Sequence, residues 1–284
     1  MRIRKQFRAF WKGRCKVLVK IQDSPLARKL GAFVALSDAD LGVLSDLFRR
    51  RRRFPARRDM VFEGQKDAAA FVTASGWACS YKLLKGGARQ IVDFQIPGDF
   101  LGLRSVLFRT SDHSIKPVTV VEASEVTVTD LLGAFRGAPR LATAVLWAAS
   151  RDEAMVVEHL VGLGRRDSAE RMAHFLLELY ARLRLVGLAD RTAGFACPLS
   201  QYLLADALGL SVVQVNRVLR QLREEGLCTF QKGRVTLDDY DGLVALAGFD
   251  RTYLDHGGPL LHLHPVARAD RDGRAPADRR ERRS

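Results

Sequence analysis

Residues Ser200 to Leu227 read SQYLLADALGLSVVQVNRVLRQLREEGL, and their spacing decides the fold. Ser200 is a good N-cap for a first helix, because its hydroxyl can accept from an otherwise unpaired amide of the first turn. Leu204 and Leu208 face inward there. Ala205 is small, as two closely crossing helices require. Gly209 supplies a left-handed turn that a side chain would resist, and Leu210 plugs that turn. Ser211 starts a second helix, and Gln214 three residues later completes a capping box. Val215, Val218 and Leu222 point back into the core. The coincidence of small residue, turn glycine and apolar spacing is the signature of a helix-turn-helix.

The apolar face leaves Val213, Gln214, Asn216, Arg217, Arg220 and Gln221 for solvent or a groove. A helix fits the major groove of duplex DNA, where Arg can span two acceptors on guanine and Asn or Gln can span adenine. Arg217 is the leading base-reading candidate. Asn216 and Gln214 follow, and Val213 is placed to meet a thymine methyl. Ser200, Gln201 and Arg220 suit phosphates, which position a protein without specifying sequence. Next, CTFQKGRVTL (Cys228 to Leu237) alternates around Lys232-Gly233 and reads as a two-stranded wing. Lys232 or Arg234 at its tip would add salt-sensitive affinity. The expected DNA-facing set is Ser200, Gln201, Ser211, Val213, Gln214, Asn216, Arg217, Arg220 and Lys232.

Upstream, LATAVLWAASRDEAMVVEHLVGLG (residues 141–164) is helical. Leu141, Val145, Ala148 and Met155 share one face. Leu146, Ala149, Val156, Leu160 and Leu163 line a neighbouring one. A helix apolar on two sides wants two partners: its own β domain and a second copy of itself. Gly162 and Gly164 are expected to loosen the chain as a hinge. A further helix follows, with Met172, Phe175, Leu176, Leu179 and Leu183 as its apolar stripe.

Residues 59–130 are instead short β-rich runs punctuated by glycine, with Gly86-Gly87 as a hairpin signal. Many short strands argue for a jelly roll or barrel with an interior pocket. A short helix capped by Ser37 precedes them, carrying Leu41, Leu44 and Phe48. The Arg49–Arg53 run reads as a solvated face at that helix's end.

Charge supports this division. The net charge is +14 over 284 residues. The first twenty residues carry eight Lys or Arg and no acid, and the last twenty contribute +3. The folded middle is therefore nearly balanced, and a nucleic-acid partner has to be argued from the motif. Cys15, Cys79, Cys197 and Cys228 form no metal-ligand pair, which fits a reducing cytoplasm. No apolar run is long enough to cross a bilayer, and no membrane partner is expected. The chain reads as a basic, loosely ordered leader (1–35), a β sensor domain (36–139), a dimerisation helix (140–163), a winged helix-turn-helix domain (164–248) and a flexible tail (249–284). The fold class is α+β.

This order resembles the Crp/Fnr family of bacterial transcription regulators. The resemblance is carried by FEG (Phe62 to Gly64), PGDFLG (Pro97 to Gly102) and the helix-turn-helix with its wing. It implies a β jelly roll of the cyclic-nucleotide-binding type and a homodimer on a near-palindromic DNA site, with effector occupancy repositioning the DNA-binding domains. RNA polymerase stands as a candidate further partner. The effector pocket by this resemblance comprises Gly98, Leu101, Gly102, Leu103, His113 and Ser114. Members that bind cAMP carry an acidic residue where this chain has Leu103, and Arg-Ser where it has His113-Ser114. Without those charge-assisted contacts, cAMP is not expected to bind. Cluster-bearing oxygen sensors use several N-terminal cysteines, and the leader holds only Cys15, which argues against an iron–sulfur cluster. Haem stays open, with His113 as a candidate ligand, and the cofactor is otherwise unknown. The family's recognition helix commonly has Glu where this one has Val213, while Arg217 matches the family's Arg, so the operator is expected to differ from the best-known sites.

No convergent set of nucleophile, base and perturbed acid is visible, so the chain does not read as an enzyme. His256, His262 and His264 in a Pro- and Gly-containing tail read as incidental rather than as a metal site. The alternative function is a ligand-binding module acting on a protein partner instead of DNA.

Overall fold

A computed structural model describes residues 21–108, 110–190 and 194–254. Helix α1 (Pro25–Gly31) comes early in it. Ser24 caps this helix by accepting from the Ala27 amide, and Pro25 sits in the first turn, where a missing amide hydrogen costs nothing. Leu26, Ala27 and Leu30 are buried, as is Lys29, whose ammonium donates to Asp99 at 2.8 Å and to Asp152 at 3.4 Å. The expected loose leader is thus corrected from residue 21 onward: apolar residues at i and i+4 and a desolvated ion pair fix it to the body. Residues 1–20, with Cys15, lie outside the described residues.

Helix α2 (Asp38–Phe48) has the expected Ser37 cap, with Asp40 closing a capping box. The arginine run then leaves the helix. Arg51–Phe54 form strand β1, whose Arg side chains are solvated as expected but on an edge strand. Strands β2 (Ala70–Ser75), β3 (Ala78–Leu83), β4 (Arg89–Gln95), β5 (Phe100–Leu101), β6 (Ser114–Pro117) and β7 (Val121–Val126) complete two antiparallel sheets, ordered β1-β7-β2-β5 and β4-β3-β6. Gly86-Gly87 lies in the β3–β4 hairpin, with Leu83 opposite Arg89. Phe71, Leu101, Val121 and Ala123 of one sheet meet Ala78 and Ile115 of the other in a common core. This is the β-rich domain that the alternating sequence predicts.

A capping box of Thr127 and Asp130 ends the last strand and starts helix α3 (Val128–Gly137). The β-branched residues of VTVTD favour strand through residue 130, yet the cap starts a helix at Val128. Helix α4 (Pro139–Arg165) forms where a long helix was expected. It buries Leu141, Ala148 and Met155 against its own chain and leaves Leu146, Val156, Leu160 and Leu163 exposed. Gly162 and Gly164 lie inside the helix, so they are not the hinge expected of them. The helix ends instead at Arg166, whose backbone is extended (ψ 144°). Asp167 then caps helix α5 (Ser168–Leu185), on which Met172, Phe175, Leu176, Leu179 and Leu183 are all buried.

The C-terminal part contains β8 (Gly194–Ala196), α6 (Gln201–Leu208), α7 (Val212–Glu224), β9 (Cys228–Gln231), β10 (Arg234–Leu237) and α8 (Tyr240–Ala247). Strands β8, β10 and β9 form a third sheet in that order. The chain past 248 does not loosen at once, since Phe249 and Leu254 are buried. Residues 255–284, including His256, His262 and His264, lie outside the described residues.

The β domain and the C-terminal part share one hydrophobic core. Trp77, Tyr81, Ile91 and Phe94 of the β3–β4 hairpin cluster with α5 and with Leu204, Leu208, Val215 and Val218. A buried ionic centre reinforces the junction. Arg182, only 2% exposed, donates Nη2 to Phe94 O and to Asp99 Oδ2, both at 2.7 Å, and Nη1 to Asp93 Oδ1 at 3.2 Å. Burial alone would raise the Asp99 carboxyl, but Lys29 and Arg182 beside it hold it well below the usual carboxylate range. At the surface of the same junction, Arg89 Nε donates to Asp206 at 2.8 Å and Gln90 Nε2 donates to Ala207 O at 3.1 Å.

Candidate nucleic-acid interface and effector cleft

The helix-turn-helix forms as its spacing demands. Ser200 Oγ accepts from the Leu203 amide and starts α6, and Gly209 closes it in the left-handed region (φ +62°). Helices α6 and α7 cross at 101°. Ser211 Oγ accepts from the Gln214 amide at 3.2 Å, while Gln214 Oε1 accepts from the Ser211 amide at 2.8 Å. Val215, Val218 and Leu222 are fully buried. The opposite face of α7 is solvent-exposed and carries Val213, Gln214, Asn216, Arg217 and Arg220. Val213 is 77% exposed, an isolated methyl pair on the leading turn of a polar helix.

The polar side chains on that face differ in their freedom. Gln214 is engaged in the capping box, and Asn216 Nδ2 donates to Val212 O at 3.1 Å. Either amide would have to leave an intrahelical partner to meet adenine with both of its polar atoms. Arg217 and Arg220 have no carboxylate within salt-bridge distance among the described residues. Ser200, Gln201 and Ser211 are exposed at the starts of the two helices, beside N–H groups that suit phosphate oxygens. On the wing, Lys232 (φ +51°) and Gly233 (φ +74°) form the tight turn that matches strand twist. Lys232 is exposed there. Arg234 faces Asp190 and pairs with it, so Lys232 is the freer cation of the two that sequence offered.

The second site is a cleft of about 810 Å³ between the β3–β4 hairpin, the 102–107 turn, α3 and α4. Its walls are mainly apolar, with Phe100, Leu103, Leu132, Phe135, Leu146 and Val156 among them. Of the six positions carried over as an effector pocket, Gly102, Leu103 and His113 line it. Gly98, Leu101 and Ser114 do not. Gly98 lies against α1, where an added Cβ would come within 2.9 Å of the Pro25 backbone. Leu101 is buried in the core between the sheets. Ser114 Oγ accepts from the Glu63 amide at 3.0 Å. His113 Nδ1 lies 2.7 Å from Asp112 Oδ1, and Arg104 pairs with the same carboxylate at 3.3 Å. Sequence reasoning missed Ser80, Asp93 and Gln95 on the cleft wall. Alternation on β3 and β4 could place them on one face, but nothing local says that the face is concave.

Among the described residues no group of His, Cys, Asp and Glu is arranged to hold a metal ion. Burial pushes the thiols of Cys197 and Cys228 up to about 12 and that of Cys79 to about 11, so each stays protonated at neutral pH. No single described helix is long and apolar enough to cross a membrane.

Comparison with known proteins agrees with this arrangement. Residues 51–138 match the cyclic nucleotide-binding domain, and residues 170–246 match the Crp-like helix-turn-helix domain. The chain is 32% identical over 200 residues to the nitrogen fixation regulation protein FixK of Bradyrhizobium diazoefficiens, covering 70% of this chain and 82% of that one. It is 25% identical over 218 residues to the transcriptional activator protein FnrA of Stutzerimonas stutzeri, covering 76% and 87%. The solved structure of FixK2 from Bradyrhizobium japonicum matches with a TM-score of 0.63 at 25% identity, covering 70% of this chain and 98% of that one. With its β sandwich, connecting helix and winged helix-turn-helix in this order, the chain belongs to the Crp/Fnr family of DNA-binding transcription regulators, and not to a family of enzymes.

Proposed function

We propose that this regulator acts in the cytoplasm as a homodimer that joins along α4 and reads a near-palindromic operator with two copies of α7. The observation that carries the reading is a pair of faces that no described residue covers. Helix α7 presents Val213, Arg217 and Arg220 on the side opposite its buried valines. Helix α4 presents Leu146, Val156, Leu160 and Leu163 at the spacing of a two-helix seam. In this reading Arg217 reads a base pair and Val213 contacts a thymine methyl. Ser200, Gln201, Ser211, Arg220 and Lys232 hold phosphates. Gln214 and Asn216 add base contacts once released from their helix partners. RNA polymerase is the partner through which a bound dimer would act on transcription.

Effector control is read from the cleft, which is walled partly by α4 and so touches the helix that joins the two copies. A cyclic nucleotide phosphate would find Leu103 and His113 there, with the lining Arg104 paired to Asp112 at 3.3 Å, which supports a signal other than cAMP. Selection of random duplexes by the full chain tests the DNA reading. The expected product is an inverted repeat with half-site centres about 34–36 Å apart, one helical turn or a multiple of it. Enrichment of no sequence, or of a single asymmetric element, would overturn it.

A further inference from the structure

Two helix ends converge on one side chain. Helix α4 stops at Arg165 and helix α6 at Leu208, and each leaves last-turn carbonyls without an intrahelical amide partner. Arg171, one turn into α5, lies between them. Its Nη1 donates to Leu208 O at 2.6 Å, and its Nη2 donates to Arg166 O at 2.9 Å and to Leu163 O at 3.3 Å. One guanidinium thereby holds the end of α4 and the end of the first helix of the helix-turn-helix. Both ends carry partial negative charge, so a cation placed at both is favourable and screens their mutual repulsion. Arg166 beside it pairs with Glu158 at 2.7 Å, whereas Arg171 forms no ion pair among the described residues.

The two helix ends are in close contact there. A Cβ added to Gly209 would come within 3.0 Å of Leu163 Cδ2 and 3.7 Å of Arg171 Nη1. The turn between α6 and α7 therefore sits on the last turn of α4. The β3–β4 hairpin and α5 hold α6 and α7 from other sides, while Arg171 and Leu163 tie them to the end of α4. A small tilt at this point has a large effect further out. Helix α7 has 13 residues, about 20 Å at 1.5 Å per residue. A tilt of about 10° at its near end moves its far end by about 3.5 Å, one base-pair step.

We propose that Arg171 is a positioning residue for DNA reading: it locks α6 and α7 against α4 and so fixes the separation of the two recognition helices in a dimer. The inference rests on the homodimer reading above, and adds the residue that makes half-site spacing strict. Arg171 acts through its three carbonyl partners and not by touching DNA.

Fluorescence anisotropy of the full chain at fixed salt tests this on four duplexes. They are the selected inverted repeat, the same repeat with one base pair added or with one removed between the half-sites, and a single half-site. The unaltered chain is expected to bind the selected spacing at least about tenfold more tightly than either altered one. Arg171→Lys keeps the charge and loses the planar fork. Its preference is expected to fall to about threefold or less, with single half-site affinity unchanged and the dimer retained in sedimentation velocity. A general loss of stability would instead lower all four affinities together and leave the ratio alone. A preference above threefold in the folded variant overturns the proposal. Arg171→Gln, judged by the same limit, takes its place should Arg171→Lys fail to fold. An unaltered chain that binds all three spacings within threefold also overturns the proposal, and needs no variant. An unaltered chain that is monomeric, or that selects no inverted repeat, overturns the dimer reading and this inference with it. A dimer whose strictness survives the loss of Arg171 overturns this inference alone.

Discussion

Replacing Arg182 by Met removes one guanidinium from the junction of the two domains and keeps most of its aliphatic stem. Three acceptors then lose donors: Phe94 O, Asp99 Oδ2 and Asp93 Oδ1. Asp99 retains Lys29 at 2.8 Å and the Ile96 amide at 2.9 Å, so its charge stays compensated. Asp93 retains only Gln95, and the Phe94 carbonyl retains nothing from this side chain. Removing one partner of a buried pair costs about 3–5 kcal/mol. The surviving Lys29 contact puts Arg182→Met at the lower end, about 3 kcal/mol. At roughly 2–4 °C per kcal/mol for a chain of this size, the melting temperature falls by about 6–12 °C. Calorimetry and urea titration read this directly. Adding Asp93→Asn to Arg182→Met should recover part of the loss, because it neutralises the stranded carboxylate. A loss under about 1 kcal/mol, or no recovery in the double variant, would refute the reasoning that this centre ties the domains together.

Other outcomes follow from the same geometry. Leu160 is 69% exposed on α4, so Leu160→Glu should leave the circular dichroism unchanged while sedimentation velocity shows the dimer replaced by monomer. The His159–Glu178 pair, 3.0 Å apart, sets two limits on stability. Burial works against both charges, yet each partner wins: Glu178 holds His159 at about 9, and His159 with Arg182 holds Glu178 at about 2. The His159 contribution is full below its ordinary value of about 6.5 and is lost as pH rises through 9. The Glu178 contribution is full above about 4.5 and lost as pH falls through 2. Urea midpoints across pH should therefore decline between 6.5 and 9, and His159→Gln should flatten that decline. His174 adds an acid limb. Burial and Arg166 lower it to about 4, so the unfolded chain takes up its proton first and stability falls between pH 6.5 and 4.

The parts of the fold that show in the sequence are those fixed by near neighbours. Ser211 and Gln214 cap each other across three residues, Gly209 occupies a turn only glycine tolerates easily, and the Gly86-Gly87 hairpin joins adjacent strands. Helix α1 was also legible in principle, since Ser24-Pro25 is a start signal, but a surrounding surplus of Lys and Arg hid it. The sensor–helix junction was not legible. Lys29 finds Asp99 and Asp152 from 70 and 123 residues away, and Arg182 finds Asp99 across 83. No periodicity encodes such pairings. The cleft shows the same division. Gly102, Leu103 and His113 came from the family resemblance, whereas Ser80, Asp93 and Gln95 meet on its wall only through the pairing of β3 with β4.

Arg217 remains the side chain on which DNA reading turns. Binding of the chain and its Arg217→Ala variant to a selected operator and to a scrambled duplex, at fixed salt, tests it most directly. The account predicts a loss of about 1–3 kcal/mol on the operator, with affinity for scrambled DNA nearly unchanged. An operator complex as tight and as selective without that guanidinium would contradict it.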